Sequence, residues 1–368
     1  MDARKILIVS HLIFPAQLPR AHRATELALE LARQGHNVTL CAVIGNYDYS
    51  RFELEYGIKV KNLGKLFFSN VNSDGVKKEN LIMRVLRKLL HRMIEFPEIE
   101  LMFKIPRIIK TEARFDLLIS IAKPYPIHWG CALSKTKYRK SFPDKWIADC
   151  GDPYMGHGGA ENKKPFYFSY VEKWFCRLAD FIVIPFEGAK EGYYKEFWHK
   201  IRVIPQGFRF DNIILSNNQV KHEIPHFAYS GIFDRKIRNP SNFLHYLSSI
   251  EKDFKFVIYT PDDDLLKPFQ KILGTKIDIR SYIPREKLLY ELSKMDFLVN
   301  FENKTKVHLP SKLIDYALVK RPILSISADR LQEEIITEFL NGDYHRQLII
   351  NNVERFNISE VAKQFLSL

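Results

Sequence analysis

The sequence has few cysteines and no long apolar run, and each absence excludes a class of protein. Its 368 residues include four cysteines, none close enough to another to form a Cys-x-x-Cys pair. This argues against a zinc knuckle or a redox motif and favours reduced thiols. No stretch is long and apolar enough to span a bilayer, and the N-terminal segment has no signal-peptide cleavage site. We therefore expect a cytoplasmic protein whose contact with membranes is peripheral, on the inner face of the plasma membrane.

Two ligand-binding motifs are missing as well. The loop over residues 10–19, after the first predicted strand, contains no Gly-x-Gly-x-x-Gly, which counts against a nicotinamide dehydrogenase. Asp262-Asp-Asp264 is the candidate for a metal-binding Asp pair, but it follows Pro261 in a predicted surface turn. We therefore expect neither a metal ion nor a cofactor.

The composition is that of a globular protein with a strong positive charge. Hydrophobic residues make up 46% of the chain and charged residues 27%, as in ordinary folded domains. The length favours two domains. The formal net charge of +13 predicts attraction to an anionic partner. Charge alone does not choose among a nucleotide diphosphate, an anionic lipid and a nucleic acid.

Short apolar runs alternate with helical segments, which predicts an α/β fold. A strand over residues 5–9, a helix over 20–33 that ends at Gly35, and a strand over 37–43 form one βαβ unit. Such a unit predicts a parallel sheet. Helices are also predicted at 286–294 and 311–319. Further strands are predicted at 115–121, 145–148, 181–184, 202–204, 226–230, 254–259, 277–282, 297–301, 322–327 and 347–350.

The predicted domain boundary lies near Pro205, where a strand ends and a polar stretch, 216–223, follows. We expect two doubly wound domains, over residues 1–205 and 206–345. A C-terminal strand and helix, over 346–368, are expected to pack back towards the first domain. Ligands of such sheets bind at the carboxyl ends of the strands, so the loops there are the candidates for chemistry.

In the first domain, two of these loops carry charged residues. Arg20 and Arg23 lie at the start of the first helix, where free N–H groups suit a phosphate. A solvated basic first turn is the alternative. Asp149 and Asp152 follow a predicted strand, and a carboxylate there could orient or deprotonate an acceptor hydroxyl group. Either one could instead cap the turn that follows.

In the second domain, a basic loop precedes a helix start. The residues Asn239 and Pro240 suit the N-cap and the first helical position, and Arg235, Lys236 and Arg238 come just before them. Cations beside the positive end of a helix predict an anion site. A merely solvated basic loop is the alternative.

A second predicted helix start in this domain also suits a phosphate. Ser311 follows Pro310 at the start of the helix, and Lys312 adds a positive charge. Asp315 lies one turn further along the same face. A carboxylate at that distance from a phosphate can accept both hydroxyl groups of a ribose. The alternative is an exposed Asp that favours the helix through its dipole.

Residues 307–324, Val-His-Leu-Pro-Ser-Lys-Leu-Ile-Asp-Tyr-Ala-Leu-Val-Lys-Arg-Pro-Ile-Leu, resemble the donor-binding motif of glycosyltransferase family 4 and its relatives. Segments 31–40, 203–208 and 281–288 are similar to further segments of that family, in the same order. The resemblance implies a GT-B fold, in which two Rossmann-like domains face a cleft. It also implies that the N-terminal domain binds the acceptor, that the C-terminal domain binds a nucleotide-sugar, and that anomeric configuration is retained.

The resemblance also implies roles for individual residues. Asp315 corresponds to the acid that binds ribose, although the family's usual residue is Glu, and the usual partner acid eight positions earlier is Val307 here. The family's glycine-rich first loop is replaced by Pro19-Arg20. The implied diphosphate ligands and neutralising cations are Ser311, Lys312, Arg235, Lys236 and Arg238, and the implied border of the nucleobase is formed by Ile283 and Pro284.

A segment of the first domain has the pattern of a helix that lies on a membrane. Its apolar residues recur at helical spacing and its basic residues crowd the other side, as in interfacial amphipathic helices. An ordinary helix with its apolar stripe in the core is the alternative. The apolar residues are Ile82, Val85, Leu86, Leu89, Leu90 and Met93, and the basic ones are Arg84, Arg87, Lys88, His91 and Arg92.

These patterns together predict a glycosyltransferase of polysaccharide or glycolipid biosynthesis. It would move a sugar from a nucleoside-diphosphate sugar to a polysaccharide or a lipid-linked saccharide, without a metal and with retention. The predicted catalytic residues are Asp152, ahead of Asp149, and Arg238. The alternatives are a nucleotide-sugar epimerase, a GT-B subunit without activity, and a basic nucleic-acid-binding protein. Nucleic acid is not expected as a partner, because the basic residues concentrate at strand ends and helix starts rather than along one face.

Overall fold

The structure of the chain is a computed structural model that describes residues 2–16, 18–67, 81–112, 114–156, 164–211, 213–216, 222–235, 238–261, 264–302, 311–327 and 330–368. It divides the chain into two compact units. The first comprises Met1–Arg209 and Arg355–Leu368, and the second comprises Phe210–Glu354. The chain therefore leaves the first unit four residues after the boundary expected at 205, and it returns at Arg355 rather than at 346.

The first unit is built on a parallel sheet, which has seven strands within the described residues, in the order β3-β2-β1-β4-β5-β6-β7. The strands are β1 (Lys5–Val9), β2 (Asn37–Ala42), β3 (Lys59–Asn62), β4 (Leu117–Ile121), β5 (Lys145–Asp149), β6 (Phe181–Ile184) and β7 (Ile201–Val203). The helices before the second unit are α1 (Pro19–Arg33), α2 (Ser50–Tyr56), α3 (Leu81–Ile94), α4 (Glu100–Thr111), α5 (Pro126–Lys137) and α6 (Phe168–Leu178).

The second unit has its own parallel sheet, with five strands in the part of the chain described, in the order β10-β9-β8-β11-β12. The strands are β8 (His226–Ser230), β9 (Lys255–Tyr259), β10 (Ile277–Arg280), β11 (Phe297–Phe301) and β12 (Ile323–Ile326). The helices are α7 (Ser241–Ser249), α8 (Lys267–Leu273), α9 (Arg285–Leu292), α10 (Ser311–Val319) and α11 (Glu333–Leu340).

The C-terminal helix, α12 (Ile358–Ser367), completes the first unit. It buries Val361 and Phe365 in the same core as Leu27 of α1. The guanidinium of Arg4 donates a hydrogen bond of 2.9 Å to the carbonyl of Leu366, which fixes the end of the helix. The strand expected at 347–350 does not form.

In place of that strand, one backbone hydrogen bond attaches the segment to the second sheet, from the N–H of Leu348 to the carbonyl of Ile323 at 2.8 Å. An apolar run of this length therefore packs beside the sheet without joining its ladder.

In both sheets, aspartate side chains hydrogen-bond neighbouring strands together at their amino ends. An aspartate directly before one strand accepts a hydrogen bond from an N–H group in the first or second residue of its neighbour, near the end of the ladder, where such a group needs a partner. In the first unit Asp116 accepts from Lys5 at 2.7 Å and Asp180 accepts from Trp146 at 2.8 Å. In the second unit Asp296 accepts from His226 at 2.7 Å.

Each sheet reverses its strand order at one place among the described strands. In the first unit the reversal lies between β1 and β4, and in the second it lies between β8 and β11. Ligands of open α/β sheets bind at such points, outside the carboxyl ends of the strands. The loops that follow β1, β4, β8 and β11 therefore hold the candidate sites.

Candidate functional site

Two cations with buried nitrogen atoms lie at the carboxyl edge of the second sheet. Lys312 is the second residue of α10, and its Nζ atom is buried without a hydrogen-bond partner among the described residues. The Nε atom of Arg238, in the loop after β8, is also buried without a hydrogen-bond partner among the described residues. Burial, and then the positive charge of Arg238, lower the pKa of Lys312 to about 7. Buried charges of one sign without a counter-ion are costly, so this arrangement suits an anionic ligand.

The end of strand β8 contacts helix α10, which carries Lys312, and leads into the loop that carries Arg238. The backbone N–H of Ser230 donates a hydrogen bond of 2.8 Å to the hydroxyl oxygen of Tyr316, which attaches α10 to the strand. The next residue, Gly231, has a φ of +150°. A Cβ atom there would lie 2.7 Å from the hydroxyl oxygen of Tyr229, so only glycine fits this close approach.

The loop that follows is closed on itself. Asp234 and Arg238 exchange two backbone hydrogen bonds of 3.0 and 3.2 Å. Asn239 then accepts a hydrogen bond of 3.0 Å from the N–H of Ser241. Helix α7 begins at Ser241 with Pro240 in the N-cap position, so Asn239 and Pro240 each lie one position earlier than predicted, and Asn239 is not the N-cap residue.

The other predicted cations of this loop occupy different surroundings. Arg235 is exposed and lines a cavity of about 400 Å³ together with Asn239 and Asp264. Lys236 lies outside the described residues, as do Pro310 and Val307. Ser311 begins α10, but its side chain also lies outside the description.

Asp315 is held in place by a residue that the sequence did not single out. Its Oδ1 atom accepts hydrogen bonds from the guanidinium of Arg285, from Nε at 2.9 Å and from Nη2 at 2.6 Å. Burial raises the pKa of Asp315, and the charge of Arg285 opposes the rise. Arg285 is the first residue of α9, directly after Ile283 and Pro284. The predicted ribose acid and the predicted nucleobase border are thus joined through one arginine.

Ile283 also borders open space. It lines a cavity of about 380 Å³ together with Ile214, Glu286, Lys287, Tyr290 and Glu291. This cavity combines an apolar wall with polar groups at its rim, a composition typical of small-molecule sites.

In the first unit, Asp149 is the buried counter-ion of two arginines. It is the last residue of β5 and is fully buried. Arg23 donates a hydrogen bond to its carboxylate, and a guanidinium nitrogen of Arg20 lies 3.2 Å from the same oxygen. Burial pushes the pKa of Asp149 up, but the charges of Arg20 and Arg23 outweigh it and hold the pKa below its usual value. These bonds explain why Asp149 is charged in the core, and its catalytic role stays a prediction.

Arg23 connects three parts of the first unit. Besides the bond to Asp149 of β5, it donates hydrogen bonds to the carbonyls of Pro205 at 2.6 Å and Ile204 at 3.1 Å, just after β7. Arg20 donates to the carbonyl of Asp149 at 2.8 Å. Arg23 is 2% exposed, so the alternative of a solvated basic turn is wrong for this residue.

A cavity of about 400 Å³ opens at the carboxyl edge of the first sheet. Most of its lining is polar or charged. It comes from the loops after β1, β4 and β5, from the last turn of α3 and from the segment between α3 and α4. The lining residues are His11, His91, Glu95, Glu98, Lys123, Pro124, Tyr125, Pro153, Tyr154 and Lys164.

The carboxylates of this cavity are already hydrogen-bonded or paired. Glu95 is buried and accepts hydrogen bonds from the hydroxyl of Tyr154 at 3.0 Å and from the ammonium of Lys164. Glu98 lies 3.5 Å from the imidazole of His91. Burial lowers the pKa of His11, and Glu98 opposes that shift. The cavity therefore offers a neutral imidazole among fixed charges.

Asp152 does not line this cavity but lies beside it, next to the lining residue Pro153 and paired with the lining residue Lys123. Its carboxylate is 38% exposed and lies 3.0 Å from the ammonium of Lys123. The hydroxyl of Tyr125 donates to its backbone carbonyl, and this bond fixes the turn after β5. Of the two predicted carboxylates, Asp152 is thus the one that a substrate can reach.

Sequence reasoning did not assign the titratable residues of the cavity to a site. His11 and Lys123 follow β1 and β4 by two residues each, and that position at a strand end was the available signal. Glu95 and Glu98 gave no such signal, because they come from a helix junction rather than from a strand end.

The apolar stripe of α3 is exposed rather than packed in the core. Ile82, Val85 and Leu89 are each more than half exposed, so the core alternative is wrong for these residues. The side chain of Met83 lies outside the description. No helix within the described ranges combines the length and apolarity needed to cross a bilayer. His91, near the end of α3, lines the cavity of the first unit.

The whole chain is similar to solved structures with the GT-B fold. A glycosyltransferase from Rickettsia africae matches with a TM-score of 0.60 and 14% identity, over 100% of this chain and 94% of the other. Anabaena HepE, in complex with UDP and glucose, matches with a TM-score of 0.60 and 9% identity, over 99% and 98%. The lipopolysaccharide outer core galactosyltransferase WaaB matches with a TM-score of 0.58 and 11% identity, over 99% and 98%.

These matches identify the fold as GT-B, with two Rossmann-like units. The predicted fold class is therefore confirmed. At such low identity the likeness establishes the fold alone, and membership of glycosyltransferase family 4 stays a prediction. No protein-family model and no curated protein sequence matches the chain.

Proposed function

We propose that this protein is a glycosyltransferase that moves a sugar from a nucleoside-diphosphate sugar to a polysaccharide or a lipid-linked saccharide. The observation that carries the proposal is a pair of cations at the carboxyl edge of the second sheet with buried nitrogen atoms, Nε of Arg238 and Nζ of Lys312, that have no hydrogen-bond partner in the described part of the chain. A diphosphate brings negative charge to pair with both cations and hydrogen-bond acceptors for these two nitrogens. HepE, which shares the fold, was solved with UDP and glucose, and this supports the same donor class here.

The donor would bind along three features of the second unit. Its diphosphate would meet Arg238 and Lys312, and its ribose would hydrogen-bond to Asp315, which Arg285 already orients. The nucleobase would lie at Ile283, which lines the cavity beside α9. The residues of these three features come after strands β8, β10 and β11, at the carboxyl edge of the second sheet.

The reaction would break the bond between the sugar C1 atom and the diphosphate oxygen while the acceptor oxygen bonds to C1. Negative charge grows on the leaving diphosphate, and cations already aimed at it stabilise the transition state because they need little reorganisation. Arg238 and Lys312 take that role in the proposal, which does not require a metal. Asp152 would take the proton of the acceptor hydroxyl. Retention of configuration is proposed from the family resemblance.

The acceptor would bind in the cavity of the first unit. Hydrogen-bonded carboxylates and a neutral imidazole suit the hydroxyl groups of a saccharide, and Lys123 and Lys164 suit a phosphate. The exposed stripe of α3 supports an acceptor anchored in a membrane, because His91 of the same helix lines the cavity. In this proposal α3 lies on the cytoplasmic face of the membrane and brings the cavity to the lipid-linked sugar.

A calorimetric binding screen tests the donor half of the proposal. UDP, GDP, ADP and dTDP would be titrated into the full chain and into Lys312→Ala, with Lys287→Ala as a control on the rim of the nucleobase cavity. We expect one nucleotide to bind with a stoichiometry of one, to lose affinity in Lys312→Ala and to keep most of it in Lys287→Ala. Failure of all four to bind, or equal binding to Lys312→Ala, would overturn the proposed donor site.

A further inference from the structure

The second unit carries a cluster of metal-ligating side chains at the edge of its sheet opposite the anion site. His226 is the first residue of β8, Asp296 directly precedes β11, and His222 lies four residues before His226. Each offers one ligand atom, and the three atoms lie within 4.8 Å of one another. All three residues are partly buried. We propose that His222, His226 and Asp296 bind a zinc ion.

The spacing of the ligand atoms suits one ion. The Nδ1 atom of His222 lies 3.2 Å from Oδ1 of Asp296. Two ligands of a tetrahedral zinc ion, each about 2.0–2.1 Å from it, are roughly 3.4 Å apart. The rings of His222 and His226 stack with their centroids 3.8 Å apart. Since imidazole lone pairs lie in the ring plane, ligation requires one ring to rotate out of the stack, and the partial exposure of both residues leaves room for this.

The hydrogen bonds around the cluster already orient two of the ligands. The Nδ1 atom of His226 lies 2.9 Å from the carbonyl of Ile224, and in a neutral imidazole this bond places the proton on Nδ1 and leaves the Nε2 lone pair for a metal ion. The Oδ2 atom of Asp296 accepts from the backbone N–H of His226 at 2.7 Å, which leaves Oδ1 for the ion. Metal ligands in proteins have such outer hydrogen bonds, which fix the ligand atom and its direction.

A comparison with the first unit shows what is unusual here. Asp180 ties two strands in the same way as Asp296, and the ammonium of Lys135 lies 3.1 Å from its carboxylate. At Asp296 two imidazoles take the place of that ammonium. Imidazole is the commonest metal ligand, and two nitrogens with one carboxylate form a donor set that zinc accepts.

The bound ion would stabilise the second unit rather than take part in transfer. It would join the segment at residue 222 to the amino ends of β8 and β11, which is the edge away from Arg238 and Lys312. A ligand that binds only the native state raises its stability. Three protein ligands leave the fourth position of the ion to water. The inference does not rest on the proposed function.

Zinc titration of the untagged full chain tests the proposal. After dialysis against a chelator, zinc would be added in competition with a chromogenic chelator, and thermal unfolding would be followed with and without the ion. We expect one equivalent of zinc per chain and a higher unfolding midpoint with zinc. His222→Ala should weaken binding by more than the roughly 10- to 100-fold that loss of an outer hydrogen bond costs, and it should abolish the rise of the midpoint.

A matched variant separates the site from ordinary surface pairs. His345 lies 2.8 Å from Asp343 in an exposed pair without a third ligand among the described residues, so His345→Ala should bind zinc as the unchanged protein does. His222→Gln serves if the alanine variant does not fold. The proposal is wrong if the unchanged protein takes up no zinc, or if the His222 variant binds it with unchanged affinity. In either case His222 and Asp296 form only a hydrogen-bonded pair, beside the bond by which Asp296 joins β8 to β11.

Discussion

The ammonium nitrogen of Lys312 lies 4.5 Å from the centre of the Tyr229 ring. A ring face attracts a cation, but weakly compared with the cost of removing an ammonium group from water. Burial therefore still lowers the pKa of Lys312, and the charge of Arg238 lowers it in the same direction, together to about 7. This lysine is close to half-charged at neutral pH, and an anion at the site would restore its full charge.

That pKa predicts a pH-dependent affinity for the nucleoside diphosphate. The bound anion favours the charged lysine and raises its pKa, so binding takes up a proton above pH 7. The affinity should fall as the pH rises from 7.5 to 9, by up to about tenfold per pH unit. The ligand contributes little in this range, because a terminal phosphate titrates near pH 6.

Calorimetry in buffers of different ionisation enthalpy would measure both the affinity and the proton uptake. Lys312→Met, which keeps the side-chain length but cannot carry charge, should bind more weakly at pH 7.5 and show a flat profile. An unchanged affinity of the native protein between pH 7.5 and 9 would contradict the role of Lys312.

Arg238 should matter more for turnover than for binding. In Arg238→Ala the turnover rate should fall by a larger factor than the donor affinity, because the charge that Arg238 meets grows in the transition state. Arg235→Ala is the matched control, since Arg235 is exposed and lines a different cavity. Steady-state kinetics would separate the two effects. Equal losses in turnover and affinity would mean that Arg238 holds only the ground state.

Asp315 and Arg285 should act on the nucleotide as a pair. Asp315→Ala should weaken nucleotide binding by about 1–3 kcal/mol, the scale for leaving polar partners unsatisfied. Arg285→Ala should weaken it less, because the arginine acts by orienting the carboxylate. In the double variant the two losses should not add. Full additivity, or an unchanged affinity in a folded Asp315→Ala protein, would remove this pair from the ribose site.

The two carboxylates after β5 should respond differently to the same change. Asp152→Asn should abolish transfer and leave nucleotide affinity near normal. Asp149→Asn should instead destabilise the fold by about 3–5 kcal/mol, because it leaves the buried Arg23 without its counter-ion. Thermal unfolding and transfer assays on both variants would show the contrast. If Asp152→Asn keeps its transfer activity, the acceptor proton goes to another group, and His11 of the cavity is a candidate.

Salt-sensitive membrane binding follows from the exposed stripe and basic residues of α3. Changing Arg84, Arg87 and Lys88 together to Ser should reduce sedimentation with anionic liposomes at low salt, because basic residues attract an anionic surface. Added salt screens these exposed charges and should weaken the binding of the native protein. The control changes Lys137, Arg139 and Lys140 to Ser, which removes the same charge from an exposed surface outside α3. Failure of the native protein to bind anionic liposomes, or equal loss in both triple variants, would contradict a membrane role for α3.

The sequence predicted the fold better than it predicted the sites. Buried parallel strands are continuous apolar runs, and most of them were placed within two or three residues. Strand β3 was missed because Lys59–Asn62 is polar and lies at the sheet edge. The run at 347–350 looked like a strand, but tertiary packing gave it one hydrogen bond to Ile323 instead of a ladder.

Side-chain environment was the part that the sequence could not supply. Asp149 and Asp152 are three residues apart and Asp152 was predicted ahead of Asp149, but the sequence did not show that Asp149 pairs with Arg23, which is 126 positions away. The bond between Arg285 and Asp315 spans 30 positions. Such partners meet only after the sheet has formed, so neither propensity nor spacing could reveal them.

The most direct test of the account is a transfer assay with isotope-labelled donors. The full chain would be incubated with a membrane lipid extract and each of a set of UDP-, GDP-, ADP- and dTDP-linked sugars, and the lipid fraction would be analysed by mass spectrometry. The account predicts a lipid-linked saccharide one labelled sugar heavier, formed with one donor, absent with Asp152→Asn and much reduced with Lys312→Ala. Conversion of the donor sugar to its epimer without any heavier saccharide, or a product formed equally well by both variants, would contradict it.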